Sequence, residues 1–242
     1  MIELTDIKKV FNAGRPNEFT AVEEVSLSLD SGKVTVLKGP SGSGKTTLLG
    51  IIGCMARPTS GRIHLTGPLM QGMAFAPKGA PAEVTSLPER FLTEIRRRAF
   101  GFIFQQFNLI RGITVLENVM LPAYPMGDDF KSLRERATRI LKDFNLSGKL
   151  SSRIEWLSGG EAQRVAISRA LINDPAVIIA DEPTAHLDTK LSAEFMDIVK
   201  RLKGEGKTVI IASHDPIVFD SPIIDRVVEM RDGRISGEHI RS

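Results

Sequence analysis

The sequence predicts an α/β protein: a parallel sheet interleaved with helices, interrupted by a helical insertion in the middle of the chain. Three features predict it. Strand-length apolar runs alternate with helical stripes in the last third, a glycine-rich turn joins an apolar strand to an apolar helix near residue 40, and an amphipathic stripe fills the middle.

The first third reads as strands and turns. Val25, Leu27 and Leu29 alternate with polar residues, as in a half-buried strand, and Ser31-Gly32 punctuates before a second strand at 34–37. Leu48, Leu49, Ile51 and Ile52 read as a buried helix over 48–55 that ends before Pro58 and holds Cys54 as a small core residue. A Ser60-Gly61 turn leads into a strand at 62–65. Residues 66–90 carry four prolines, Pro68, Pro77, Pro81 and Pro88, and form an irregular insertion. Two readings of it stay open, an adjustable surface loop or a contact for a specific partner. Arg96, Arg97 and Arg98 read as a solvated helix face, with a membrane-proximal or partner role as the alternative.

Further on, Leu133, Ala137, Ile140, Leu141 and Phe144 fall on one face of a helix. The continuous apolar run at 176–180 is of the kind buried in parallel sheets. Leu191, Phe195, Ile198 and Leu202 form another helical stripe, stopped by Gly204 and Gly206, and 208–212 is again a buried strand. Asp232-Gly233 predicts a hairpin turn.

Composition sets the outer limits. A chain of 242 residues suits one large domain or two small ones, and 42% apolar with 25% charged residues is ordinary for a globular protein. No apolar run reaches the roughly 18 residues of a membrane span, and the N-terminus lacks an export signal. A single cysteine excludes an internal disulfide framework and a multi-cysteine zinc site. A net charge of +3, with one Trp and one Tyr, does not describe a nucleic-acid binder. These features imply a soluble protein of a reducing compartment that reaches a membrane only through a partner.

Three motifs carry chemistry. Gly39-Pro40-Ser41-Gly42-Ser43-Gly44-Lys45-Thr46, followed by Thr47, matches G-x-x-x-x-G-K-[ST] between a strand and a helix. Glycines let the backbone amides turn toward phosphate oxygens, the helix start adds a positive dipole, Lys45 reaches the β- and γ-phosphates, and the Thr46 hydroxyl suits Mg²⁺. The second motif is Asp181-Glu182 at the end of an apolar strand, where α/β ligand sites lie. Asp181 is then placed to hold Mg²⁺ and Glu182 to polarise an attacking water. The third is Leu157-Ser158-Gly159-Gly160-Glu161 at a helix start, a capped terminus with free amides and so a second anion-binding end.

Leu-Ser-Gly-Gly between a phosphate loop and an Asp-Glu strand resembles the signature of ATP-binding cassette (ABC) ATPases. That resemblance implies an α/β P-loop NTPase (RecA-like) core with an antiparallel β subdomain and an inserted α-helical subdomain. The chain would be one nucleotide-binding domain over 1–242, with the helical subdomain at about 107–163 and the irregular insertion at about 66–90. The family's pattern makes Gln105 the glutamine that contacts Mg²⁺ and senses a transmembrane partner, in preference to Gln106. It makes His214 the switch histidine on the γ-phosphate, Asp188 the aspartate of the loop after the catalytic glutamate, and Phe11 the aromatic that stacks on adenine. Glu182, His214 and Lys45 are its catalytic set, and Thr46, Gln105 and Asp181 its Mg²⁺ set.

Residues 101–109, 114–122 and 49–61 are similar to the macrolide-export and lipoprotein-release subfamily. The resemblance implies a homodimer in the presence of ATP, with Ser158, Gly159, Gly160, Glu161 and Asp188 completing the partner's site. It further implies an integral membrane permease subunit that carries substrate specificity, and a place on the cytoplasmic face of the cell membrane. Export, membrane extraction or mechanotransmission would be the output. A cell-division-type regulatory ATPase that transports nothing is the alternative. A DNA- or ribosome-acting cassette and a small-molecule kinase account for fewer of the motifs. Three departures stand out: Glu161 for the commoner glutamine, His186 in the segment before Asp188, and a longer insertion at 66–90.

Overall fold

The computed structural model describes residues 1–73, 75, 80–185 and 187–241. Pro77 and His186 lie outside the described residues, as does the side chain of Pro68. The chain opens with strands β1 (Ile2–Phe11) and β2 (Phe19–Leu29), paired antiparallel. Strand β3 (Val34–Lys38) leads through the glycine-rich turn into helix α1 (Lys45–Ile52). Strands β4 (Ser60–Leu65) and β5 (Ala82–Glu83), helix α2 (Glu89–Ala99) and strand β6 (Phe100–Ile103) follow. The middle is helical, with α3 (Val115–Met120), α4 (Phe130–Asp143) and α5 (Gly159–Leu171) joined partly by 3₁₀ turns. The last part alternates β7 (Val177–Asp181), α6 (Thr189–Gly204), β8 (Thr208–Ser213) and the short α7 (Pro216–Phe219), then closes with the hairpin of β9 (Arg226–Arg231) and β10 (Arg234–Ile240).

Two sheets result. The four-stranded one has the order β2-β1-β4-β5 and the six-stranded one the order β10-β9-β3-β8-β7-β6. Within the larger sheet β9, β3, β8, β7 and β6 run parallel, and β10 adds an antiparallel edge. Alternation explains why its central strands read as unbroken apolar runs. Val177 and Ile179 pack with α1 and the smaller sheet, whereas Ile178 and Ala180 pack with the helices opposite. The turn at Asp232 and Gly233 has positive φ at both residues, 50° and 78°, as a two-residue hairpin of this twist requires.

Three expectations need correction. The helix at residue 45 ends at Ile52, and Cys54 sits beyond it with φ 57° rather than within a helix reaching residue 55. Its thiol is still buried, and burial pushes it up to about 12, so it stays a protonated core group. Described parts of the 66–90 insertion are not a free surface loop. Leu69, Met70, Met73, Ala82 and Val84 are buried in the main core, and β5 extends the smaller sheet at Leu65 and Ala82. Apolar residues among the prolines found a place to be buried. The arginine run is not uniformly solvated either. Arg96 donates to the Cys54 carbonyl at 2.7 Å and Arg97 to that of Pro125 at 3.2 Å, while Arg98 is exposed and pairs with Glu94 at 3.3 Å.

Candidate active site

Because β3, β8, β7 and β6 are parallel, their carboxyl ends share one edge of the sheet. Register sets Lys38 beside Ser213, Asp181 beside Ala212, and Ile103 beside Ala180. The residues that follow those ends therefore converge: the glycine-rich loop, Glu182, His214 and Gln105. They line one cleft of about 340 Å³, with Ser41, Gly42, Ser43, Gly44, Lys45, Thr46 and Thr47 forming its floor.

The floor is shaped by glycine. Gly44 takes φ 97°, and a Cβ there would stand 2.3 Å from the Ala21 carbonyl oxygen; one on Gly39 would stand 2.2 Å from that of Met230. Gly44 is also the N-cap of α1 and offers no side-chain cap, and no acidic residue occupies the first turn. The α1 amides thus keep their positive end toward the cleft. Ser43 Oγ is buried there without a hydrogen-bond partner, a polar atom suited to a ligand oxygen.

Lys45 is buried and donates to the carbonyls of Gly39 at 2.7 Å and Pro40 at 3.0 Å, with Glu182 Oε1 at 3.5 Å. The other carboxylate oxygen of Glu182 lies 2.9 Å from His214 Nδ1. Glu182 itself holds φ 45°, a left-handed conformation fixed by its amide's bond to the Ala212 carbonyl at 2.9 Å. Thr46 Oγ1 donates to Asp181 Oδ1 at 3.0 Å. Burial pushes the Asp181 carboxyl above its usual range; the Thr46 bond and Lys45 oppose this, and the neighbouring Glu182 charge adds to it. Thr46, Asp181 and Gln105 offer only oxygen donors, the ligand type of a hard divalent cation. Among the described residues no three His, Cys, Asp or Glu side chains are placed to hold a metal ion by themselves, so such a cation would need oxygens from a bound ligand too.

Gln105 is exposed and lines the cleft, whereas Gln106 does not. Its turn is braced from α5, where Arg169 donates to the carbonyls of Phe107 and Asn108, both at 2.6 Å. Phe11 is placed beside the cleft rather than in its wall. It stacks on Phe19, ring centroids 5.1 Å apart, and Phe19 reaches the cleft. Sequence reasoning missed Phe19, Thr20 and Ala21. No local signal marked them; Phe19 reaches the cleft through its pairing with Phe11 across β1 and β2.

Ser158, Gly159, Gly160, Glu161 and Asp188 are not in this cleft's wall. Ser158 caps α5 in a reciprocal box. Its hydroxyl accepts from the Glu161 amide at 3.3 Å, and Glu161 Oε2 accepts from the Ser158 amide at 2.9 Å. Glu161 also pairs with Lys149 at 3.1 Å, and these contacts, led by the Ser158 amide, hold its carboxyl below the usual range. Asp188 caps α6 through the Leu191 amide at 2.8 Å. Gln163 links α5 to the loop after β7, donating to the Pro183 carbonyl at 3.0 Å.

Known proteins are similar to this chain in sequence and fold. A family model described as ABC transporter matches residues 22–185. An uncharacterized ABC transporter ATP-binding protein of Thermotoga maritima is 39% identical over 237 residues, covering 98% of this chain and 94% of the relative. The macrolide export ATP-binding/permease protein MacB of Neisseria meningitidis is 38% identical over 235 residues, 97% of this chain and 34% of that protein, so the chain spans about a third of it. Among solved structures, the dimeric bacterial ABC transporter cassette MJ0796 superposes with a TM-score of 0.86 at 37% identity, covering all of both chains. A dimeric post-hydrolysis state of the same cassette, bound to ADP and Pi, gives 0.85 at 36%.

Proposed function

This chain belongs to the ABC transporter family, as an ATPase cassette of the kind found in macrolide-type exporters, and from that premise we propose how its cleft and its surfaces work. The triphosphate of ATP lies on residues 39–47, where the loop amides and the start of α1 neutralise it. Lys45 exchanges its contact with Glu182 for phosphate oxygens, and the unpartnered Ser43 hydroxyl gains an acceptor. Released from Lys45, Glu182 polarises the attacking water, and His214, held by the same carboxylate, faces the γ-phosphate. Phe11 stacks on adenine. Thr46, Asp181 and Gln105 would hold Mg²⁺, which when bound offsets charge on the β- and γ-phosphates.

One copy covers the nucleotide on one side only. In this reading Ser158, Gly159, Gly160, Glu161 and Asp188 of a second copy close the other, so that ATP binding joins two chains and hydrolysis loosens them. A separate membrane permease docks near Gln105 and the helical subdomain at about 107–163, and carries the choice of substrate. The chain then works at the cytoplasmic face of the cell membrane for export, extraction or mechanotransmission. What supports a permease partner is the name of a relative, an ATP-binding/permease protein of which this chain matches about a third.

The observation that carries the reading is the convergence of Lys45, Glu182 and His214, with Thr46 on Asp181, at one sheet edge. Glu182→Gln is expected to lower ATP turnover by about 10²-fold or more while nucleotide binding persists; normal turnover overturns the role of Glu182. Ser158→Arg is expected to abolish dimerisation on MgATP. A variant that still dimerises and hydrolyses normally overturns the shared site.

A further inference from the structure

The segment leading into α5 is held by hydrogen bonds and packing, yet it leaves one large side chain uncovered. Thr114 bridges Arg153, Ile154 and Leu157 pack on the helical side of the core, and the Glu155 carboxylate accepts from the Gly112 amide at 2.8 Å. Two further bonds close the turn, from the Trp156 amide to the Arg153 carbonyl and from the Leu157 amide to that of Ile154, each 3.2 Å. Trp156, the chain's single tryptophan, is nevertheless 71% exposed. Its backbone has already lost its freedom, so covering the indole costs little further ordering while removing a large apolar surface from water.

Its position says what would cover it. Trp156 lies two residues before Ser158, which puts their Cα atoms within about 7 Å. Whatever meets the start of α5 also meets this ring. At the phosphate cleft, the exposed aromatic surface is the stacked pair of Phe11 and Phe19, 36% and 54% exposed. A base lying on that pair has one face covered and the other in water.

We propose that Trp156 of one copy packs on the open face of the adenine held by the other copy, so that the base is gripped by aromatic rings from both chains. This rests on the shared-site reading and adds to it a base-dependent part of dimerisation. Glycine amides at 159 and 160 answer the triphosphate; the indole answers the purine.

The lone tryptophan makes the test direct. Glu182→Gln protein is titrated with MgATP or MgADP, following sedimentation for assembly and tryptophan emission with acrylamide quenching for the indole. The expected result is an MgATP-dependent dimer in which emission shifts and quenching falls severalfold. Trp156→Ala is expected to raise the MgATP concentration needed for half dimerisation roughly tenfold, and Trp156→Phe to restore most of it. A dimer that forms with tryptophan quenching unchanged, or equally well in Trp156→Ala, overturns the inference and leaves the shared site standing. A tryptophan that responds only when a membrane permease is added also overturns it. Failure to dimerise at all removes the shared site and this inference together.

Discussion

Helices α1 and α5 both begin on glycine-rich turns, yet they differ in what satisfies their first amides. At α1 the N-cap is Gly44, which offers no side-chain acceptor, and the first turn holds no acid. Buried Lys45, Glu182 and the unpartnered Ser43 hydroxyl surround it in a walled cleft. At α5 a side-chain cap is present: Ser158 and Glu161 satisfy each other's amides, and Lys149 balances the carboxylate. The box engages neither the Gly159 nor the Gly160 amide, which lie in the first turn and so lack an intrahelical acceptor; Gly159 is exposed and Gly160 buried. On the proposed reading, one helix start is a binding site in its own right and the other a surface that complements a ligand brought to it.

That contrast can be broken at its first half. Gly44→Ala drives a Cβ onto the Ala21 carbonyl and strains a φ of 97°, so MgATP affinity is expected to fall by roughly 10²-fold or more, read by calorimetry. Unchanged affinity would mean that the uncapped turn is not what binds phosphate.

A second experiment sharpens the same half through pH. Burial leads the effects that raise the Asp181 carboxyl, so the folded state binds that proton more readily than the unfolded chain. Stability from this group is then greatest below the unfolded value near ~3.9 and is lost as pH rises through the folded one. Asp181→Asn is expected to raise the nucleotide-free melting temperature at pH 7 by a few degrees, to flatten that part of the pH dependence, and to abolish turnover with MgATP. A lowered melting temperature in the variant would show that the ionised carboxylate is well accommodated by Thr46 and Lys45.

The smallest effect tests α5. Glu161 puts a negative charge at a helix start proposed to face a triphosphate, and Lys149, 3.1 Å away, offsets it. Lys149→Met should weaken MgATP-driven dimerisation a few-fold, in line with an exposed pair worth up to about 1 kcal/mol. Adding Glu161→Gln should restore it. Sedimentation of both variants checks this, and a Lys149→Met defect that persists in the double variant would assign Lys149 another task.

Much of the site was legible because its residues are contiguous. The loop at 39–46 and the pair Asp181-Glu182 each carry their chemistry within a few positions, flanked by apolar runs that announce strand and helix. What escaped was whatever depends on a distant neighbour. Phe19 matters through its pairing with Phe11, and Arg96 through the carbonyl of Cys54. The insertion misled because prolines and glycines signal irregular backbone and say nothing of where Leu69, Met73 or Val84 are buried. Cys54 was misplaced for a local reason, the termination of α1 at Gly53 inside an apolar stretch.

By itself, then, the amino-acid order determined most of the elements, the glycine-rich loop and the acidic strand end, since hydrophobic period, glycine freedom and capping act over a handful of residues. Only the tertiary structure decided that Lys45, Glu182 and His214 meet. That follows from the strand order β3-β8-β7, set by which apolar faces bury best together. It also decided that α5 begins outside the cleft. Long-range pairing is chosen by the free energy of the whole core, and no short window of sequence contains it.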